Sequence, residues 1–149
     1  MYESQIWGQI ENSTVKRIIR LQNKALRVIN FAHFYASSDI FYKNSKILKF
    51  SDNIKLLNLF FIYDNLRSKL PLVLNKILKL TYRSINYNTR NSDKRLTLPK
   101  VKTTIYGLNS IEYKCISLWN RLVSAFPNRN FELISKNALK KMLNNLLNV

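Results

Sequence analysis

Carboxylates decide first what a chain can do to phosphates, because paired metal ions are held by acidic side chains only a few ångströms apart. The acids here are Glu3, Glu11, Asp39, Asp52, Asp64, Asp93, Glu112 and Glu132, with no adjacent pair and no helical i, i+4 pair among them. His33, the only imidazole, lies in an aromatic stretch with no evident partner and reads as a packing or solvent-facing side chain. Cys115, the only thiol, shares an apolar stripe with Trp119, which makes it a buried, inert sulfur and Trp119 a core ring. One Cys and one His cannot build a zinc site alone, and Gly8 and Gly107 are too few for a glycine-rich phosphate loop. The expectation is no catalytic residue, no metal, no cofactor and no small-molecule substrate.

The cations carry more information. Twenty-five Lys and Arg against eight Asp and Glu give a formal net charge of +17, which attracts phosphates or acidic lipid before any specific contact forms. Two segments concentrate it. Over residues 14–30, Val15, Ile18, Ile19, Gln22, Ala25, Leu26 and Ile29 share one side of a helix, and Lys16, Arg17, Arg20, Lys24 and Arg27 share the other. Arg17, Arg20, Lys24 and Arg27 follow a 3-4-3 spacing and form one stripe without an interrupting acid. Like charges so placed repel by a few tenths of a kcal/mol per pair, so a merely solvated face would interleave Glu. Over residues 81–107, Arg83, Arg90, Lys94, Arg95, Lys100 and Lys102 face a single acid, Asp93, with Tyr82, Tyr87 and Tyr106 interspersed. Tyr87 and Arg90 could stack on and ion-pair with a single strand, or Asn88, Thr89 and Arg90 could form a structural corner.

These segments must be positioned by a core. With 149 residues, 46% hydrophobic, the chain can fill one compact domain; two Gly and three Pro favour long helices over a many-turned β-fold. The expected class is mainly α, an irregular helical bundle with a small β-ribbon in the second half. One domain spans residues 1–149, helical over 1–80 and a basic ribbon plus C-terminal helices over 81–149. Residues 30–50 read as a loop with a short helical turn. Ser51 can cap a central helix that is apolar on nearly every side from Ile54 to Leu66, and a short helix follows over 72–80. Leu96, Leu98, Val101, Thr103 and Ile105 alternate with polar residues around Pro99, which suggests two edge strands. Asn109 or Ser110 caps a third long helix ended by Pro127, with Glu112 placed to reach back, and a last helix is expected over 131–147. No signal peptide or bilayer-length apolar run is visible; the expected setting is reducing and intracellular, nucleus or cytoplasm.

Several short words occur in a fixed order. Ile6-Trp7-Gly8, residues 21–29 (LQNKALRVI) and Ile47-Leu48-Lys49-Phe50 precede the central helix. Tyr87-Asn88-Thr89-Arg90, residues 98–103 (LPKVKT), residues 107–113 (GLNSIEY) and Leu118-Trp119-Asn120-Arg121-Leu122 follow it. In this order the chain resembles the C-terminal region, thumb and post-thumb, of Jockey-like non-LTR retrotransposon reverse transcriptases. Ile85, Cys115 and Val123 depart from the pattern, standing where His, Gly and Pro are common.

The resemblance implies the tail of an RNA-directed DNA polymerase, lacking the paired aspartates and the fingers. Its partners would be RNA or an RNA/DNA hybrid, held without sequence preference, and the palm and fingers of the same polymerase. A thumb holds a sliding duplex through its phosphates. On that expectation Arg17, Arg20, Lys24 and Arg27 track the backbone, with Arg83, Tyr87, Arg90, Lys94, Arg95, Lys100 and Lys102 as the second contact. The alternatives are a stand-alone helical module binding RNA or an acidic protein, a decayed fragment, and a membrane-surface helix over residues 14–30. The last requires exposed bulky apolar residues, whereas Ile18, Leu26 and Ile29 are expected to be buried and no membrane is expected.

Overall fold

In the computed structural model of the protein, residues 12–45, 47–77, 80–82, 95–103, 107–129, 131 and 133–147 are described. The architecture is mainly α: α1 (Asn12–Ile29), α2 (Asp39–Ser45), α3 (Phe50–Leu66), α4 (Leu72–Ile77), α5 (Ile111–Ala125) and α6 (Lys136–Leu147). The chain packs as two compact units, Met1–Ile54 and Lys55–Val149, and the division falls inside α3.

In the first unit α1 is held by polar bonds as much as by apolar contact. Leu26 is buried, Val15 and Ile19 are half-buried, and three polar residues on neighbouring faces reach the chain between Ala36 and Phe50. Gln22 Nε2 donates to the Leu48 carbonyl at 3.0 Å, and Gln22 Oε1 accepts from the Phe50 N–H at 3.0 Å, so one amide caps the start of α3 from a distance. The hydroxyl of buried Tyr42, on α2, donates to Asn23 Oδ1 at 2.7 Å, and Arg27 Nε donates to the Ala36 carbonyl at 2.8 Å. Lys49 pairs with Asp39 at 2.7 Å; this hydrogen bond and charge hold the Asp39 carboxyl below its usual range and the Lys49 ammonium above its own.

α1 ends in a two-bond Schellman cap. The Ala32 N–H reaches the Arg27 carbonyl at 2.9 Å and the Phe31 N–H reaches the Val28 carbonyl at 3.1 Å. This places Phe31 at φ 50°, the left-handed position that normally holds glycine. α3 ends in the same way, with Lys69 N–H to the Asp64 carbonyl at 2.8 Å, Ser68 N–H to the Asn65 carbonyl at 2.9 Å, and Ser68 at φ 53°.

The second unit is built on the apolar body of α3, where Leu56, Leu59, Phe61, Ile62 and Tyr63 are buried, matching the all-round hydrophobicity of its sequence. α5 contributes Cys115, Ile116, Trp119, Leu122 and Val123, and α6 contributes Leu139, Met142 and Leu143. Ser110 caps α5 as expected, its Oγ accepting from the Tyr113 N–H at 3.2 Å, and the helix stops at Phe126 before Pro127. Cys115 and Val123 are fully buried inside this unbroken helix, as core residues.

α6 begins later than expected. Ser135 Oγ accepts from the Ala138 N–H at 3.3 Å as its cap, while Phe131 lies before the helix and packs on Trp119 with ring centroids 5.4 Å apart. Tyr63 OH and Arg67 Nη2 both donate to the Ile134 carbonyl, at 2.7 and 3.1 Å, and Lys136 pairs with Asp64 at 2.7 Å.

The expected β-ribbon is not seen: among the described residues no strand forms, and one isolated antiparallel bridge joins Tyr82 to Leu96. Among the described residues Leu96 bridges Tyr82 and none of residues 101–103. Both of its backbone groups are taken by a side chain: Asn120 Oδ1 accepts from the Leu96 N–H and Asn120 Nδ2 donates to the Leu96 carbonyl, each at 2.8 Å. Pro99 has no N–H to continue a ladder.

Candidate nucleic-acid interface

The stripe on α1 divides by environment. Arg17, Arg20 and Lys24 are exposed, whereas Arg27 is half-buried and spends its Nε on the Ala36 carbonyl. Three of the four expected contacts thus face solvent, and the fourth ties the loop to the helix. Between Asn12 and Ser38 the chain has no acidic residue to neutralise them.

The apolar flank of α1 differs from expectation. Leu26 is buried, but Ile18 is only half-buried and Ile29 is 68% exposed. The inward line runs through Val15, Ile19 and Leu26, leaving Ile29, on the last turn, to one side. Leu21 and Val28 are also about two-thirds exposed, and they alternate with Arg17 and Lys24 along one outward ridge at 17, 21, 24 and 28. The loop after the helix adds Phe31 at 97%, Phe34 at 67% and Tyr35 at 84% exposure. Phe34 meets Tyr35 edge to face at 5.3 Å; His33, exposed as the sequence allowed, lies 5.5 Å from the Tyr35 ring. Helical period assigns Ile18 and Ile29 to the core; Leu21 and Val28 fall outside that apolar line, and Phe31, Phe34 and Tyr35 lie in the loop beyond it.

Of the second basic segment, Arg83, Tyr87, Arg90 and Lys94 lie outside the described residues. Lys100 and Lys102 are exposed, and Arg95 is half-buried. Arg95 borders a cleft of about 470 Å³ whose walls also include Thr97, Leu98, Asn120, Arg121 and Ser124. Arg95 Nε is buried with no hydrogen-bond partner among the described residues, and Arg121 supplies a second guanidinium to the same cleft. Arg121 was not anticipated, since only the fold brings α5 beside residue 95.

The Cys115 thiol is pushed up to about 12 by burial, so it stays protonated and unreactive at neutral pH. Among the described residues no three His, Cys, Asp or Glu side chains come together, and no helix is long and apolar enough to cross a membrane. No family model, curated protein or solved structure matches the chain.

Proposed function

We propose that this chain binds nucleic acid without sequence preference, through backbone phosphates. We further propose that it is the non-catalytic thumb and tail of a non-LTR retrotransposon reverse transcriptase, acting with that polymerase's palm and fingers. The observation that carries the binding is the outward display of Arg17, Arg20 and Lys24 on a helix segment free of acids. Uncompensated cations on one face gain most by releasing the counterions of a polyanion, and that gain is blind to base identity. The cleft lined by Arg95 and Arg121 adds a second cationic surface, within the other unit. The family assignment rests on the ordered words of the sequence alone.

Titration of an RNA/DNA hybrid against the chain, with and without Arg17→Ala, Arg20→Ala and Lys24→Ala, tests the binding. The slope of log K against log salt should drop by roughly 0.7 to 0.9 for each phosphate contact removed. Arg27→Ala is the internal contrast: it should lower stability and leave the slope nearly unchanged. A triple variant with the wild-type slope refutes the phosphate-tracking role. Genomic sequence immediately upstream tests the family assignment, which requires a palm with adjacent aspartates.

A further inference from the structure

We infer that the first unit takes single-stranded nucleic acid in preference to duplex, with Phe31, Phe34 and Tyr35 as a stacking platform for unpaired bases beside the Arg17, Arg20 and Lys24 stripe. This rests on the nucleic-acid binding proposed above and specifies which form of the polymer the site selects.

A duplex presents phosphates outward and hides its base faces. A single strand exposes both, so its complement is a surface with cations and apolar faces side by side. α1 and its following loop present such a surface. Arg17 and Lys24 alternate with Leu21 and Val28 on one ridge, and Arg20 flanks them. Beyond the helix end, Phe31, Phe34 and Tyr35 project, each at least two-thirds exposed.

Phe31 is the sharpest indication. At 97% exposure its ring gains almost nothing from burial, and at φ 50° its backbone sits where a non-glycine residue is strained by about 1–2 kcal/mol. Folding asks for glycine at that cap. A large aromatic that serves neither packing nor backbone is explained by contact with a ligand. At 97% exposure both faces of the ring are open to a base.

The absence of any acid between residues 12 and 38 makes the occupant an anion. A second copy of this chain, itself at +17, would bring like charge against like. An acidic amphipathic helix or an anionic bilayer would also match the charge. Three exposed rings within five residues of the chain, Phe34 and Tyr35 in edge-to-face contact, match separate flat bases better than a docked helix.

The experiment uses the whole chain with three probes of equal length: a single-stranded DNA carrying one 2-aminopurine, its fully paired duplex, and the RNA/DNA hybrid of the same sequence. Wild type should bind the single strand about tenfold more tightly than either duplex and quench the 2-aminopurine on binding. The variant Phe31→Gly, Phe34→Ala, Tyr35→Ala should lose about tenfold in single-strand affinity, lose the quenching, and keep its duplex affinity. Glycine at 31 suits the local backbone, so this variant stays folded, as circular dichroism would verify. Equal affinity for all probes, or an aromatic variant that binds like wild type, overturns the stacking platform while leaving phosphate binding intact. No binding to any probe by wild type refutes both. Vesicles containing phosphatidylserine form a control arm, and ring-dependent flotation without ring-dependent quenching would assign the face to lipid and overturn the inference.

Discussion

Phe31 and Ser68 occupy equivalent positions, each the left-handed residue of a helix-ending cap, at φ 50° and 53°. Glycine at either site removes the Cβ crowding that disfavours this conformation, against a smaller entropic loss from a more flexible unfolded chain. Ser68→Gly and Phe31→Gly should each raise unfolding free energy by about 1 kcal/mol, read as a shifted urea midpoint at constant slope. Their functional consequences should diverge. Ser68→Gly should leave nucleic-acid affinity alone, and Phe31→Gly should weaken single-strand binding while it stabilises the fold. A Phe31→Gly chain less stable than wild type would mean that the ring packs in solution. Neither cap was legible in the sequence, because the usual signal is a glycine after the last helical turn and neither helix has one.

At the scale of elements, two side-chain amides do work usually done by backbone. Gln22 joins α1 to the start of α3 through Leu48 and Phe50, and Asn120 replaces a strand partner for buried Leu96. Asn120→Ala should destabilise the second unit by about 2–4 kcal/mol, because it orphans both an N–H and a carbonyl beside a buried residue. Asn120→Asp should not rescue it, since its second oxygen would oppose the Leu96 carbonyl. Faster amide exchange at Leu96 in both variants would locate the damage, and wild-type stability in Asn120→Ala would refute the clamp. α5 was legible where period and caps agree, from the Ser110 cap to the stop at Pro127; α3 was legible by its all-round apolar period, but it starts at Phe50, so Ser51 lies inside it and is not its cap. What failed depends on partners far away in sequence. Alternation around Pro99 suggested strands, yet the Leu96 edge is filled by a residue 24 positions later. Apolar period extended α6 back to Phe131, whereas that ring packs on Trp119 outside the helix and Ser135 sets the start. The exposure of Arg17, Arg20 and Lys24 followed from periodicity, but the structural use of Arg27 and the place of Arg95 and Arg121 on one cleft did not.

For the whole molecule, the charge that favours a polyanion also opposes compactness. At +17, folding gathers like charges that an open chain keeps farther apart, and little acid is present to offset them. Salt shortens the reach of that repulsion to about 10 Å at 0.1 M, so added salt should stabilise the free protein. Between about 20 and 300 mM sodium chloride the melting temperature should rise by several degrees, roughly 2–4 °C for each kcal/mol of repulsion removed. A bound polyanion should do the same at low salt by mass action, since ligand held by the folded state alone raises its stability. The two effects then run in opposite directions: salt raises the melting point of the free chain and erases the increment supplied by an oligonucleotide, because counterion release drives that binding. Differential scanning fluorimetry over a salt series, with and without a single-stranded oligonucleotide, reads both at once. Curves that converge at high salt are expected. Curves that stay parallel would show that the oligonucleotide is held by something other than charge, and a melting point that falls with salt would show that the cations are already neutralised within the fold.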